Sequence, residues 1–393
     1  MTGRDCDIAI VGGGLAGGLI ALALARLRPE IAVRVIEAGP APGGNHRWSW
    51  FASDLSAAGA GLLDRFRLTR WDEGYEVRFP GLARKLATPC RSLASPDFAE
   101  GLGHELAAGT IRPGTSVAEI GHDGVTLASG ERISARAVLD CRGFAATPHL
   151  TGGWQVFMGR HLRTAAPHAI GRPLIMDATV PQLGGYRFVY LLPLGPNELL
   201  VEDTYYQDTP VLDRRVLSAR LDAYCQGRGW SGEVVGQESG VLPVLTGGDF
   251  AAFQRSQRIE GVGVAGARGG FGHPLTSYTL PAAVETALAI AAAADLPGEQ
   301  MAAMLEARAR QHWRSTRFYR RLGAMLFGAA RPEERWRVFA RFYRLDKGLI
   351  ERFYAGRSSL SDRARILCGR PPVPLTRALG ALATSQPPLQ VAA

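Results

Sequence analysis

The sequence predicts an α/β protein with a Rossmann-like nucleotide-binding domain, an inserted antiparallel β-sheet domain and C-terminal helices. Three observations lead to this fold class: a strand, glycine turn, helix and strand pattern near the N-terminus, a strand-rich middle, and a second strand, loop and helix pattern after it. A chain of 393 residues also exceeds the usual size of one core. We therefore expect a discontinuous nucleotide-binding domain at residues 1–150 and 255–297, a substrate domain at 151–254, and a basic helical segment at 298–393.

The N-terminal pattern has the spacing of a dinucleotide-binding motif. An apolar strand ends at Gly12, an Ala/Leu-rich helix follows, and a second apolar strand ends in Glu37. In such a motif Gly12 permits the tight turn, Gly14 lets the backbone approach a pyrophosphate, and Gly17 lets the helix pack on the sheet. The first N–H groups of the helix then face the phosphate charge. Glu37 lies 20 residues beyond Gly17, where we expect its carboxylate to bind a ribose hydroxyl.

Composition narrows the class of protein. With 46% hydrophobic and 21% charged residues, the chain is expected to pack into a globular core. The five cysteines form no C-x-x-C pair and the histidines have no ligand spacing, so we expect a reducing cytoplasm, no disulfides and no metal. No signal peptide precedes the first strand, and no uncharged apolar run reaches the roughly 20 residues that span a bilayer. We therefore do not expect an integral membrane protein.

The net charge of +9 is concentrated near the C-terminus. Residues 308–370 contain 17 Lys/Arg and 5 Asp/Glu, so this segment carries +12 and the remainder −3. Its large apolar side chains recur on one helical face, at Trp336, Phe339, Tyr343, Ile350 and Phe353. This stripe predicts either a core-facing surface with solvated arginines or a helical layer on anionic lipid. No nucleic-acid-binding motif accompanies the arginines, and the Pro/Ala-rich residues after 371 are expected to fray.

Two stretches have strand periodicity. Short alternating segments between residues 117 and 143 surround Gly-containing turns, which predicts a β-meander inserted into the nucleotide-binding sheet. Residues 186–192 and 199–206 flank a Gly-Pro-Asn turn, which predicts a hairpin of the second sheet. Residues 38–50 form a turn-rich segment that contains two tryptophans.

The recurrence of strands that end in glycine or an acid favours FAD over NAD. Such ends occur at Gly12, Asp140 and Gly263, whereas an NAD site needs only the first. FAD needs contacts to its pyrophosphate, ribityl chain and isoalloxazine ring, as in a glutathione-reductase-type domain. We expect the ring to lie against the segment that contains the four candidate cofactor-binding residues Gly266, Gly270, His273 and Pro274. For His273 and for His46, a structural hydrogen bond remains the alternative.

Several motifs together resemble the bacterial lycopene β-cyclase family. In chain order they are residues 43–49 (GGNHRWS), 154–157 (WQVF), 176–179 (MDAT), 186–190 (YRFVY), 201–204 (VEDT) and 273–278 (HPLTSY). The resemblance runs from the first strand to Tyr278 and is loose in the C-terminal helices. Arg47 stands where a small polar residue is frequent in the family, and Ser277 where glycine is common.

The resemblance implies a defined activity. Members of the family close a ring at each end of lycopene, a linear C40 polyene, and give β-carotene by way of a one-ring intermediate. They use reduced FAD, kept reduced by NAD(P)H, although substrate and product are isomers. Lycopene and other acyclic carotenoids would thus be the partners. Because lycopene is confined to lipid, we expect a cytoplasmic protein attached peripherally to the inner membrane.

The proposed chemistry needs an acid that stays neutral. A terminal alkene is a very weak base, and a carboxyl in an apolar pocket keeps its proton because desolvation disfavours the charged form. Glu202 and Asp203 are the candidate catalytic residues, and the resemblance places the family's essential acid at Glu202. Successive strand residues face opposite sides, so only one of them can face the pocket. A solvent-facing acidic pair at a strand end is the alternative.

A tertiary cation must then be stabilised without being trapped. Aromatic faces do this by cation–π contact, and the candidates are Trp48, Trp50, Trp154, Phe188 and Tyr190. Packing in the core is the alternative for most of them. An anionic reduced flavin would add a full negative charge. The final proton is expected to leave to the Glu202 carboxylate or to reduced flavin, and the sequence leaves both open.

Three other functions remain compatible with these patterns. A flavin monooxygenase of the aromatic hydroxylase type would share the inserted β-domain, and a geranylgeranyl-reductase-like enzyme would act on a similar isoprenoid. A carotenoid or lipid carrier is the non-enzymatic alternative, although carriage alone needs no nucleotide site.

Overall fold

The computed structural model describes residues 4–369 and 372–390. The strands in chain order are β1 (Cys6–Val11), β2 (Val33–Ile36), β3 (Arg47–Phe51), β4 (Thr69–Trp71), β5 (Tyr75–Phe79), β6 (Leu82–Leu86), β7 (Cys90–Ala94), β8 (Ile111–Arg112), β9 (Val117–Gly121), β10 (Gly124–Leu127), β11 (Arg132–Asp140), β12 (Thr147–Thr164), β13 (Leu174–Asp177), β14 (Tyr186–Gly195), β15 (Glu198–Gln207), β16 (Gly232–Gly248), β17 (Val262–Val264) and β18 (Pro388–Leu389). The α-helices are α1 (Leu15–Leu27), α2 (Ala57–Leu63), α3 (Ser95–Glu105), α4 (Arg214–Gly227), α5 (Phe250–Gln257), α6 (Leu280–Ala292), α7 (Gly298–Ser315), α8 (Arg317–Ala329), α9 (Trp336–Phe342), α10 (Lys347–Tyr354), α11 (Leu360–Leu367) and α12 (Leu375–Ala383). Short 3-10 helices cover Ala52–Asp54, Gly266–Gly269 and Pro332–Glu334.

The first sheet confirms the predicted nucleotide-binding topology. Its parallel part has the order β8-β2-β1-β11-β17, and β10 and β9 extend it as an antiparallel meander on β11. Strand β11 is continuous over nine residues and joins the meander to the parallel sheet. The buried side chains of α1 pack with those of α6 over this sheet. This burial explains why β1 and α1 are almost uniformly apolar.

The second sheet has the order β16-β12-β15-β14-β13-β5-β6, with β18 paired to β12. The predicted hairpin is confirmed by the β14–β15 register, which pairs Gly195 with Glu198. The β5–β6 hairpin also belongs here, since β13 pairs with β5 in parallel. Our expected boundaries place it in the first domain instead. Buried Tyr75, Val77 and Phe79 pack in the core of the second sheet, and their alternation alone does not identify that partner.

A small third sheet connects the two cores. Its order is β3-β7-β4, so Arg47–Phe51 forms a strand within what the sequence indicates only as a turn-rich segment. Trp50 packs in the core of the first sheet, whereas Phe51 on the same strand packs in the core of the second. Successive side chains of β3 thus pack in different cores, and the strand links the first sheet to the second.

The C-terminal helices cover the second sheet and complete the first. Met301 and Leu305 of α7 pack in the first core, although our expected boundaries assign residues after 297 to a separate segment. Tyr343, Ile350 and Phe353 are buried in the second core, which confirms a core-facing stripe. The chain after residue 371 contains α12 and β18, so the expected fraying is wrong for these residues. Pro371 itself lies outside the described residues.

Candidate functional site

The turn after β1 brings three backbone segments close together. Gly12 has φ of +99°, and an added Cβ there would lie 3.0 Å from the Cys141 carbonyl oxygen. A Cβ on Gly17 would lie 2.0 Å from the Gly12 carbonyl oxygen, so α1 can begin this close to the turn only with glycine. At Gly14 no atom lies within 4 Å of an added Cβ, and α1 begins after it without a side-chain cap. The open space and uncapped N–H groups fit a pyrophosphate.

Glu37 lies beside this turn at the carboxyl end of β2. Its Oε2 accepts a hydrogen bond from the Gly13 N–H at 2.6 Å, and its Oε1 accepts one from the Gly39 N–H at 2.6 Å. Each carboxylate oxygen keeps a further lone pair. Glu37 thus lies beside the glycine turn at the end of β2, and its role in ribose binding stays a prediction.

Asp140 ends β11 next to the same turn and is buried. Its carboxylate accepts hydrogen bonds from Arg142 Nε at 2.9 Å and Nη2 at 2.7 Å, and Arg268 Nε lies 3.6 Å away. A Cβ on Gly266 would lie 2.6 Å from Ala16 Cβ, so the later glycine segment touches α1. The predicted convergence of the three segments is therefore present. The sequence did not indicate the two arginines, because no local pattern links them to Asp140.

His273 anchors its loop to the C-terminal helices. The loop N–H of Thr276 donates to His273 Nδ1 at 3.2 Å, and Nε2 lies 3.2 Å from the Phe353 carbonyl oxygen. Burial lowers the pKa of His273 to about 3, so the ring is neutral and donates to Phe353. Both nitrogens are thus used within the protein, which favours the structural alternative. His46 is exposed.

The rest of this loop is held in an unusual conformation. Gly270 has φ of +80° and ends the 3-10 helix, and the Pro274 carbonyl accepts a hydrogen bond from the Leu245 N–H at 2.9 Å. Ser277 has φ of +59°, in the left-handed region where glycine is favoured. Its hydroxyl donates to the Pro243 carbonyl oxygen at 2.8 Å, and this bond offsets the strain. The structure thus gives a physical reason for glycine being common at this position in the resembled family.

Glu202 lies in the middle of β15 and is half-buried. It shares a sheet face with Leu200 and Tyr206, which pack in the core formed with the C-terminal helices. The Thr204 hydroxyl donates to its Oε1 at 2.6 Å. Burial, and secondly the nearby carboxylate of Glu238, raise the pKa of Glu202 to about 8. A carboxyl group with its pKa raised to this range is largely protonated at pH 7, as alkene protonation needs.

Glu238 on β16 is a further acidic residue at the same place. Gly159 on β12 is in register with Glu202 on one side and with Glu238 on the other. An added Cβ on Gly159 would lie 3.4 Å from Glu202 Cβ and 3.3 Å from Glu238 Oε1. The two acidic side chains thus meet above a glycine. Sequence reasoning missed Glu238 because only the long-range strand register brings it to Glu202.

Asp203 faces the other side of the sheet. Its two oxygens accept hydrogen bonds from Arg187 Nε at 2.8 Å and Nη2 at 3.1 Å, and Oδ2 also accepts one from the Tyr205 hydroxyl. Arg220 of α4 donates to that hydroxyl at 2.8 Å. Asp203 is fully buried in this network. Asp203 thus lies on the face opposite Glu202 and forms a buried ion pair with Arg187. We therefore assign it a structural role and leave it out of the chemistry proposed below.

The candidate aromatic residues are divided between two faces of the second sheet. Tyr190 is directly opposite Glu202 in the β14–β15 register, and Phe188 is opposite Thr204, so both share the Glu202 face. Trp154 lies on the opposite face, in a buried cluster that includes Phe250 and Phe271.

The two tryptophans of β3 belong to the third sheet and not to the second. Trp48 packs edge-on against Phe98 at 5.3 Å between ring centroids, within the first core. Trp50 lines a narrow internal space together with Ser49, Tyr190 and Tyr278. Tyr190 is therefore the candidate that both faces Glu202 in the strand register and lines the same space as Trp50.

Within residues 4–369 and 372–390, we find no group of three or more His, Cys, Asp or Glu side chains placed to hold a metal ion. None of the helices described for these residues combines the length and apolar character that crossing a bilayer requires.

The family and the relatives that match this chain are all named as lycopene cyclases. The family described as "Lycopene cyclase protein" matches residues 7–380. A protein named lycopene beta-cyclase from Pseudescherichia vulneris is 44% identical over 373 residues, which cover 95% of this chain and 96% of that protein. A protein with the same name from Pantoea ananas is 40% identical over 380 residues, which cover 96% and 98% of the two chains.

Solved structures resemble the fold at low identity. A flavin-dependent brominase has a TM-score of 0.60 and 13% identity, with 92% of this chain and 97% of that chain covered. A geranylgeranyl bacteriochlorophyll reductase-like protein from Thermoplasma acidophilum has a TM-score of 0.55 and 12% identity, with 96% of each chain covered. At this identity the likeness establishes the fold alone.

Proposed function

Because the chain belongs to the lycopene cyclase family, we propose that it closes β-rings at the ends of lycopene, by way of a one-ring intermediate and without net redox change. The observation that carries the proposal is the position of Glu202 on the same sheet face as the buried side chains of Leu200 and Tyr206, where burial raises its pKa to about 8. The names of the relatives state the same activity for those proteins.

Ring closure would begin with proton transfer from Glu202. Its O–H bond breaks, a C–H bond forms at the terminal alkene, and the resulting tertiary cation is attacked by the neighbouring double bond. Tyr190 opposite Glu202 and Phe188 beside it offer π-faces on the same side of the sheet. Each such contact stabilises a cation by roughly 0.5 to 2 kcal/mol without forming a bond. Loss of a ring proton then gives the β double bond.

The glycine turn and the residues around it would hold FAD. Gly14 leaves room for its pyrophosphate, and Gly12 and Gly17 allow the close turn beside it. Glu37 and Asp140 lie at the carboxyl ends of strands on either side of β1, and the later segment containing Gly266 meets α1. When bound and kept reduced by NAD(P)H, FAD would supply a negative charge that stabilises the cation without being consumed. The isomerase class follows from this redox-neutral scheme.

The C-terminal helices support peripheral attachment to a membrane. Helices α11 and α12 expose two arginines, Arg365 and Arg377, and several large apolar side chains, at Leu360, Leu367, Leu375, Leu379 and Leu382. Leucines that insert into the acyl boundary and arginines that bind anionic head groups form an interfacial surface. We therefore propose that the cytoplasmic face of the inner membrane delivers lycopene here. Sedimentation with anionic and neutral vesicles at low salt tests this, and equal recovery in the supernatant with both would contradict it.

Anaerobic incubation with lycopene, FAD and NADPH tests the function. We expect products of unchanged mass, with one and then two rings. A product two hydrogens heavier per reduced double bond would instead indicate a prenyl-lipid reductase. Oxygen uptake matched to NADPH consumption under air would indicate a monooxygenase. Retention of unchanged lycopene would indicate a carrier.

A further inference from the structure

Three strands of the second sheet place two glutamates side by side. Across the row of residues Glu238, Gly159, Glu202 and Tyr190, each is the register partner of the next. Directly opposed residues on adjacent strands point to the same face. The middle position is a glycine, and the side chain of Glu238 packs closely over it, with Cγ 3.1 Å and Oε1 3.3 Å from where a Cβ would lie. The row is therefore arranged for contact between two acids.

The surroundings distinguish the two acids. Burial raises the pKa of Glu238, and the charge of Arg47 on β3 opposes this rise because it favours the ionised carboxylate. The Asn45 side chain donates a hydrogen bond to the Gln237 carbonyl oxygen at 2.9 Å. This bond connects the segment that precedes β3 to strand β16. On the other side of Gly159, Glu202 is opposite Tyr190 and accepts a hydrogen bond from the Thr204 hydroxyl.

The remaining ionisable groups near the row are engaged elsewhere. Asp203 lies behind the sheet in its pair with Arg187. Further along the same face, His161 lies 3.5 Å from Glu198. The charge of Arg47 acts on Glu238, and this asymmetry favours retention of the proton by Glu202.

We propose that Glu202 and Glu238 share one proton across Gly159, and that Glu238 is a positioning residue which keeps the proton on Glu202. Like charges in a poorly solvated site repel, so two carboxyl groups on either side of one glycine are not both ionised in the resting protein. This proposal rests on the proposed cyclisation and adds the source and the return site of its proton.

The proton count balances over one ring closure. Glu202 loses its proton to the alkene carbon, which leaves two carboxylates and one carbocation within the same site. The negative pair stabilises the cation as it moves to the ring carbon. The ring C–H electrons become the new double bond, and the proton returns to the pair. No electron, oxidant or outside acid is required.

Glu238→Gln tests the pair in the flavin-loaded protein. Removing the negative partner lets Glu202 ionise more easily, so the alkaline limb of the pH–rate profile moves to lower pH by about one unit or more. At pH values above the alkaline pKa of both proteins, the activity of the variant divided by that of wild type falls about tenfold for each pH unit of this shift. Glu233→Gln, an exposed acid on the same strand, is the matched control and leaves the limb in place. An equal loss at every pH, or an unmoved limb, overturns the proposal.

A second measurement needs no turnover. Infrared difference titration of the loaded protein should detect a carboxylic acid C=O band at neutral pH that disappears in Glu202→Gln and titrates at lower pH in Glu238→Gln. In Gly159→Ala the added methyl separates the acids, and the band should shift in the same direction. A wild-type protein without the band, or a band unaffected by Glu238→Gln, overturns the pair. A protein that shows the shifts but does not cyclise lycopene would contradict the proposed function alone.

Discussion

Asp203 and Arg187 form a two-point buried ion pair on the face of the second sheet opposite Glu202. Removing one partner of such a pair leaves the other buried and uncompensated, which typically costs roughly 3 to 5 kcal/mol. We expect Asp203→Asn to lower the free energy of unfolding by about that amount. Turnover per folded, flavin-loaded molecule should stay within a few-fold of wild type. Denaturant unfolding and a flavin-normalised rate measure the two effects.

Asp222→Asn is the matched control for that variant. Asp222 pairs with Arg160, but its side chain is 64% exposed, so its loss should cost no more than about 1 kcal/mol. If Asp203→Asn kept its stability and lost its turnover, Asp203 would belong to the chemistry after all.

Glu202→Gln should have the opposite effects. The amide cannot donate an acidic proton, so ring closure should fall by about 10²- to 10⁴-fold or more while flavin stays bound. Because the pKa of Glu202 is raised in the folded protein, wild-type stability falls as pH rises from 4.5 towards about 8. The variant lacks this loss and should be more stable than wild type at pH 8.5, on the order of a few kcal/mol. Full activity in the variant would remove Glu202 from the mechanism.

Local patterns account for what the sequence could predict. The turn at Gly12 and the helix after it follow from neighbouring residues, and so does the β14–β15 hairpin around Gly195. Contacts set by long-range register could not be predicted. Glu238 reaches Glu202 only because both pair with Gly159, and β5 joins the second sheet through a parallel pairing that no local signal announces.

His273 predicts an acid sensitivity of the loop that holds the C-terminal helices. Its pKa is about 3 when folded, against 6.5 ordinarily, so the unfolded chain binds the proton first and stability is lost as pH falls below 6.5. Between pH 7.5 and 5 this contribution amounts to about 2 kcal/mol. His273→Gln should show a correspondingly smaller decrease in unfolding free energy than wild type. His104→Gln, at an exposed position, should behave as wild type, and an identical pH dependence in all three proteins would contradict the assignment.

Gly14 and Gly17 should separate cofactor binding from folding. A methyl group at Gly14 meets no protein atom within 4 Å, so Gly14→Ala should fold normally and yet release FAD, because the methyl occupies the pyrophosphate space. Gly17→Ala collides with the Gly12 carbonyl and should lose both stability and FAD. Gly61→Ala, an exposed position in α2, is the control for helix propensity. Flavin fluorescence and thermal unfolding measure the two properties, and undiminished FAD binding by Gly14→Ala would place the pyrophosphate elsewhere.

The most direct test of proton transfer from Glu202 is the mass of the product formed anaerobically in heavy water. A solvent-exchanged Glu202 adds one deuteron to each end that it closes, so we predict β-carotene with one deuterium per ring and no other change in mass, and no labelled product with Glu202→Gln. Cyclised product without solvent deuterium, or equal labelling by the variant, would contradict the account.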